Sequence, residues 1–265
     1  MNKYEHAENS AKIFGGKSKD YEAFHALIDF NKVVTPSIFG RFFLHHIDVG
    51  LLILEKIFGN KIGPKNVPAK QLLMQHLLED YDQLLTFEKH WMPAIEETDQ
   101  MPKLDTWPGF LEKAKKDSRL QKLTDSELVL LDAFFQLKTL VGDKITFRKN
   151  TQFAILGHAL GAEIATHLLG PKIYGLWTSD VVTGYLNCRF VCADRYRDPV
   201  PTLLDYERHV PNKPWMHAPK DYEDVARRDP KRIKKMIEET IKTEKMQEMP
   251  PQNFDSIRRS PCNID

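Results

Sequence analysis

The chain has 265 residues, 42% of them hydrophobic, enough for a packed core and too many for a disordered chain. Lys and Arg number 38 against 37 Asp and Glu, so the overall charge lacks the basic bias that most nucleic-acid binders carry. Cys188, Cys192 and Cys262 are too few for a disulfide framework, and neither a signal-like start nor an apolar run of about 20 residues is present, which together favour a cytoplasmic protein with no membrane partner.

Tyr21, Phe24, Leu27 and Ile28 recur at spacings of three and four and predict a helix over 20–34. A second apolar helix is expected from about Ile38 to Phe58, stopped by Gly59. A third follows Pro68 over 69–85, with Leu72, Leu73, Leu77, Leu78 and Tyr81 on its apolar face. Pro93, Pro102 and Pro108, set among charges, make 93–123 read as a linker with one short amphipathic piece. Thr124 and Glu127 form a capping-box signature before the apolar run Leu128 to Leu140. Another helix is expected over 153–169, halted by Gly170 and Pro171. A further one near 179–196 is weakened by β-branched Val181, Val182 and Thr183. The segment 220–249 is charged and balanced in sign, as a solvated helix would be, and Pro250 and Pro251 open a loose tail.

An internal echo organises these elements. Residues 50–62 read G-L-L-I-L-E-K-I-F-G-N-K-I and residues 161–173 read G-A-E-I-A-T-H-L-L-G-P-K-I. Both place glycines nine apart and both follow a histidine, His46 or His158. The expected architecture is therefore all-α: two related helical units packed as a pseudo-dimer, since about 100 residues alone have little core to spare. The boundaries are 1–95 for the first unit, 96–123 for the linker, 124–217 for a degenerate second unit and 218–265 for a charged helix and tail.

Histidines and acids concentrate in the first unit. His25 and Asp29 stand at i and i+4, with Lys32 three further on; Arg41 precedes His45 and His46 by one turn; His76 is followed by Glu79 and Asp80. Imidazole with carboxylate suits Zn, Mn, Fe or Ni, and helical bundles build such sites from inward-facing groups on several helices. The expected metal ligands are His25, His45, His46, His76 and Asp80. His25, Asp29, His46 and Glu79 are the candidate catalytic groups, and Lys32 and Arg41 the anion contacts. The same residues would equally serve as a buried hydrogen-bond network that fixes helix packing. Other motifs carry less. Gly157 to Gly161 lacks a nucleophilic serine, Cys188 and Cys192 read as core thiols, and Arg189, Arg195, Arg197, Arg208 and His209 read as a solvated face.

The residues His6-Ala7, Ser10, Phe14-Gly15-Gly16, Asp20-Tyr21, His25-x-x-x-Asp29-x-x-Lys32, Arg41-x-x-x-His45-His46, Gly50, Phe58-Gly59 and Gln75-His76-x-x-Glu79-Asp80 resemble an uncharacterised family of short bacterial and phage proteins. The resemblance covers about residues 5–92 well and 126–217 weakly. Pro201-Thr202, Asp205-Tyr206 and Pro214-Trp215-Met216 match the family's ending, which the first unit keeps only at Thr86 and Trp91-Met92. It implies one polar site in the first half, a supporting second half, and a bacterial or phage source, without naming a reaction.

The leading function is a metal-dependent hydrolase acting on a phosphorylated small molecule or nucleotide. The competing class is a non-catalytic interaction protein, such as a phage accessory factor that binds a host component. Nucleic acid is disfavoured, and the expected state is a monomer with internal pseudo-symmetry or a weak homodimer.

Overall fold

The computed structural model describes residues 1–29, 44–96, 103–142, 145, 153–191, 213 and 228–248, and within them the chain is mostly helical. Helix α1 (Lys3–Phe14) begins with a capping box in which the Asn2 side chain accepts from the Tyr4 and Glu5 N–H groups and Glu5 accepts from Asn2 N–H. It packs against α2 (Lys19–Ile28), which ends at Asp29. The remainder of the first expected helix, and the start of the second, lie outside the described residues.

Within the described residues the second expected helix is shorter at its start than the apolar run. Residues 44–48 are non-helical and α3 spans Val49–Phe58. Two side chains satisfy its first N–H groups: Asp48 accepts from Val49 N–H at 2.9 Å and His46 Nδ1 accepts from Gly50 N–H at 2.7 Å. After Gly59 comes a two-residue hairpin, β1 (Lys61–Ile62) against β2 (Val67–Pro68), and then α4 (Ala69–Tyr81). A π-helical turn (Phe87–Trp91) leads into α5 (Met92–Glu96).

The expected linker is partly core. Its helix α6 (Trp107–Lys116), with Pro108 in the first turn, buries Phe110 and Ala114. The capping box at Thr124 and Glu127 forms as expected and starts α7 (Asp125–Phe135). Short helices α8 (Lys138–Val141) and α9 (Phe153–Leu156) follow. The helix expected over 153–169 is broken at Gly157 and restarts as α10 (Ala159–Leu169), where His158 Nδ1 accepts from Gly161 N–H at 3.1 Å. The hairpin β3 (Lys172–Ile173) and β4 (Leu176–Trp177) then feeds α11 (Thr178–Arg189), which ends seven residues before the expected boundary.

Helix, glycine, hairpin and helix thus occur twice with the same local geometry. Gly59 has φ 82° and ψ 175°, and Gly170 has φ 80° and ψ 177°. These values lie in a region open to glycine and closed to L side chains. Ala69 N–H bonds to Asn60 C=O at 3.0 Å, and Thr178 N–H to Pro171 C=O at 3.1 Å. A Cβ at either Gly50 or Gly161 would run into the carbonyl oxygen of Leu44 or Leu156. Gly59→Ala and Gly170→Ala meet no steric neighbour, so their cost is backbone strain alone, about 1–3 kcal/mol each. Urea unfolding should show a lower midpoint at unchanged slope.

One continuous apolar core joins the two halves, from Tyr21, Phe24 and Ile28 through Leu72 and Leu73 to Phe135, Val181 and Tyr185, and α3 packs against α8 and α10. A second, smaller core corrects the expectation of a solvated C-terminal helix. In α12 (Pro230–Glu248), Ile233 and Ile237 are buried against Ile13 of α1 and Met74 and Leu78 of α4, with Met236 and Ile241 beside them. That i, i+3, i+4, i+8 stripe is hidden in a charge-rich sequence because the other faces are Lys and Glu. Arg232–Asp82 (2.7 Å) and Lys70–Glu244 (2.6 Å) flank it. Among the described residues no helix is long and apolar enough to cross a membrane.

Candidate metal centre

Four elements bring polar groups into the core of the first unit. Helix α1 supplies His6, Asn9 and Ser10; α2 supplies His25 and, at its C-cap, Asp29; the segment before α3 supplies His45; α4 supplies Gln75, His76, Glu79 and Asp80. All are buried, the five histidine and glutamine side chains completely. The i, i+3, i+4 spacing in α1 and α4 puts each helix's set on one face, and the two faces meet.

His6, Asp29, His76 and Asp80 each offer a donor atom, and these atoms lie within 4.8 Å of one another. His76 Nε2 is 3.2 Å from Asp29 Oδ1 and 3.6 Å from Asp80 Oδ2. His6 Nε2 is 3.5 Å from Asp80 Oδ1 and 3.9 Å from Asp29 Oδ2. Four donors at zinc bond lengths of about 2.0–2.1 Å stand roughly 3.3–3.4 Å apart in a tetrahedron, close to these separations. His45 Nε2 adjoins the group, 3.1 Å from His76 Nε2 and 3.5 Å from Asp80 Oδ2.

The surrounding hydrogen bonds fix which nitrogens carry protons. Gln75 Nε2 donates to the Glu79 carboxylate (3.1 Å) and to His6 C=O (2.9 Å), so its Oε1 is the acceptor for Ser10 Oγ–H (2.6 Å). Ser10 Oγ then accepts from His25 Nε2–H at 2.8 Å, leaving a lone pair on His25 Nδ1. That lone pair accepts His76 Nδ1–H at 3.0 Å, so the lone pair of His76 Nε2 faces the group and His45 Nε2, 3.1 Å away. On the other side, His6 Nδ1–H donates to Glu79 Oε2 at 2.6 Å, and Asn9 Nδ2 donates to Glu79 Oε1. His6 Nε2 faces inward, 3.5 Å from Asp80 Oδ1, and in the neutral ring carries a lone pair there. Two imidazole lone pairs and two carboxylates therefore converge in one buried space. The Met1 ammonium stands 3.5 Å from Asp80 Oδ1 at its edge, and imidazole lone pairs beside carboxylates are a donor set that suits a metal cation.

Electrostatics agrees with this assignment. Burial, reinforced by the neighbouring His76 and His6, holds His25 well below the ordinary imidazole range, as the neutral relay position needs. Burial opposes the charged form of His6 too, but hydrogen bonds and charge from Asp80 and Glu79 outweigh it and lift His6 above its ordinary value. Without a metal, the group draws a proton.

Of the expected ligands, His76 and Asp80 are in the group and His45 borders it. Asp29, expected as a catalytic group, is among the donors. His25 is one layer back, with both nitrogens bonded to protein, and Glu79 orients His6 rather than facing the group. His46 is elsewhere: its Nδ1 is taken by Gly50 N–H, and its ring packs edge-on to Phe87. Lys32 and Arg41 lie outside the described residues, as do Cys192, Arg195, Arg197, Arg208 and His209. His6 was missed by spacing alone. Its one signal was its place at the head of the His-Ala motif.

Residues 1–101 match the family model of a domain of unknown function (DUF6915). The matched stretch contains every donor described above. No curated protein and no solved structure matches the chain.

The later helix–hairpin–helix segment carries a different polar set at the matching positions. Aligning Ala69 with Thr178 across the two hairpins sets Tyr185 opposite His76, Cys188 opposite Glu79 and Arg189 opposite Asp80. The buried pattern Tyr21, Phe24, His25, Ile28 of α2 recurs as Leu128, Leu131, Asp132, Phe135 of α7, so Asp132 stands opposite His25. Asp132 accepts from Tyr185 O–H at 2.6 Å, from Arg189 Nε–H at 2.8 Å and from Gln136. Here the cation beside the buried carboxylate is a side chain, the Arg189 guanidinium. Cys188, buried and near Asp117, has its thiol pushed up to about 11, which leaves it protonated and unreactive at neutral pH.

Proposed function

We propose that the first unit binds one divalent transition metal through His6, Asp29, His76 and Asp80, with His45 as an adjoining donor, and that the protein is a metal-dependent hydrolase of a phosphorylated small molecule or nucleotide. The observation that carries the metal is the inward lone pair on His76, fixed by the Gln75–Ser10–His25 relay. A metal with mixed imidazole and carboxylate ligands is zinc, manganese, iron or nickel in type. When bound, such an ion polarises a phosphoryl oxygen or lowers the pKa of a water. In this reading Lys32 and Arg41 contact the substrate anion. Glu79 and His25 orient ligands, a role that typically carries 10–100-fold in metal affinity. Residues 124–217 are a degenerate copy that supports the first unit within a single monomeric body.

The test is metal analysis of the purified full chain, followed by assay of the loaded protein against a panel of phosphomonoesters and nucleotides. The expected result is about one equivalent of transition metal and metal-dependent release of phosphate. Substoichiometric metal after loading, or hydrolysis unchanged by chelation, overturns the proposal. Ser10→Ala removes the acceptor for His25 Nε2–H, so metal affinity is expected to fall about 10–100-fold. Nitrogen NMR should show the His76 tautomer preference weakened.

A second reading rests on complete burial of the histidines. If the metal is held without access for substrate, the chain is a non-catalytic interaction protein and the ion ties α1 to α4. Stoichiometric metal with no turnover of any panel substrate, and a large drop in melting temperature on chelation, identifies that case.

A further inference from the structure

The two hairpins differ in what they leave open. In the first unit the turn packs directly on the corner between α1 and α2: a Cβ on Gly63 would lie 3.2 Å from Asp20 Cβ. In the second unit a Cβ on Gly175 would meet nothing within 4 Å. Between this hairpin and the α6–α7 corner is a cavity of about 200 Å³, lined by Arg119, Lys122, Lys172, Trp177 and Asp180.

Its lining is more specific than a solvated corner requires. Trp177 is 58% exposed, although the equivalent hairpin position in the first unit is Pro68, so the junction does not need an indole. Lys172 Nζ sits 4.7 Å from the centre of that ring. Lys122 and Lys172 meet no carboxylate within ion-pair distance among the described residues. Arg119 is held in place by Asp117, with Nε 3.0 Å from Oδ1.

We propose that this cleft of the second unit binds a nucleoside monophosphate. Lys122 and Lys172, with the positioned Arg119 beside them, take the phosphate; the open face of Trp177 stacks the base; and the Asp180 carboxylate accepts ribose hydroxyls. The cavity is too small for a whole nucleotide, so the phosphate and sugar enter it and the base lies on Trp177, which is largely exposed. Stacking on an aromatic face tolerates any base, so discrimination among bases is expected to be slight. The proposal stands apart from the metal centre, because none of its residues belongs to that group.

The experiment is calorimetric titration of the full chain, with its metal state held constant, using AMP, GMP, CMP and UMP, with adenosine and inorganic phosphate as controls. Each nucleotide is expected to bind at least about tenfold tighter than either control, since both ends of the cleft are then engaged. Trp177→Ala is expected to weaken nucleotide binding by about tenfold or more while leaving inorganic phosphate unchanged, and Trp177→Phe to restore most of the loss. Lys122→Glu with Lys172→Glu is expected to abolish binding of nucleotide and phosphate alike. These side chains are exposed, so circular dichroism of the variants should match the parent. No nucleotide binding at 1 mM overturns the proposal. So does equal binding of phosphate and nucleotide, or an unchanged affinity in Trp177→Ala.

Discussion

Adding zinc or manganese to metal-free protein is expected to raise its melting temperature, and His76→Ala is expected to remove the rise. Ligand that binds only the folded state stabilises it by about 2.7 kcal/mol at a free concentration one hundredfold above the dissociation constant, which for a chain of this size is roughly 5–10 °C. The comparison with neighbouring histidines makes the prediction specific. His76 offers a lone pair to the group, so its loss deletes a ligand. His25 only fixes the proton on His76, so His25→Ala should keep a reduced rise, with affinity lower by about 10–100-fold. His46→Ala should retain the full rise on a lower baseline, because what it loses is the cap on Gly50 N–H. Scanning calorimetry of the four proteins with and without metal reads all three outcomes. An equal metal response in wild type and His76→Ala would mean that the metal sits elsewhere.

The second large effect belongs to the other unit. Arg189→Met is expected to destabilise the protein by about 3–5 kcal/mol, the range for breaking a buried ion pair by removing one partner. Arg189 donates to Asp132 and to Asp105 C=O, and its guanidinium carbon lies about 6 Å from the ring centres of Trp107, Phe110 and Phe153. Methionine can fill that aromatic box but leaves Asp132 with a buried negative charge. Asp132→Asn in the same chain should recover a large part of the loss, since Tyr185 and Gln136 still hold the side chain. A double-mutant cycle by urea unfolding measures the coupling. Additive losses would mean that the pair is not the source of the cost. Neither variant should change the metal response, because no residue of this network touches the first group.

The helices were legible in the sequence wherever apolar period and caps agreed, as at Thr124–Glu127 and in the stripe Tyr21, Phe24, Ile28. They were misread where side chains supply caps that resemble nothing local. His46 and His158 start helices inside apolar runs that look continuous, and a histidine cap has no sequence signature. Two-residue strands are too short for an alternating pattern, so both hairpins were invisible, although their glycines marked the spot. At the site, the acids of α4 were found because they sit one turn from His76. His6 was missed because its acids, Glu79 and Asp80, come from another helix. His25 was overvalued for the converse reason. Asp29 does stand one helical turn from His25, but both His25 nitrogens are taken by Ser10 and His76, so only the acid of the pair reaches the donor group.

The stripe on α12 bears on the order in which the molecule is completed during synthesis. Ile13, Met74 and Leu78 leave the ribosome well before Ile233 and Ile237, which cover them. Until then the helices that carry His6 and His76 have an uncovered apolar flank, while the Asp132–Arg189 pair is already on the emerged chain. Nascent chains halted before residue 228 should therefore attract chaperones through the first unit. The same interval would also be when α1 and α4 are easiest to part, and a metal ion has its widest path to the donors between them.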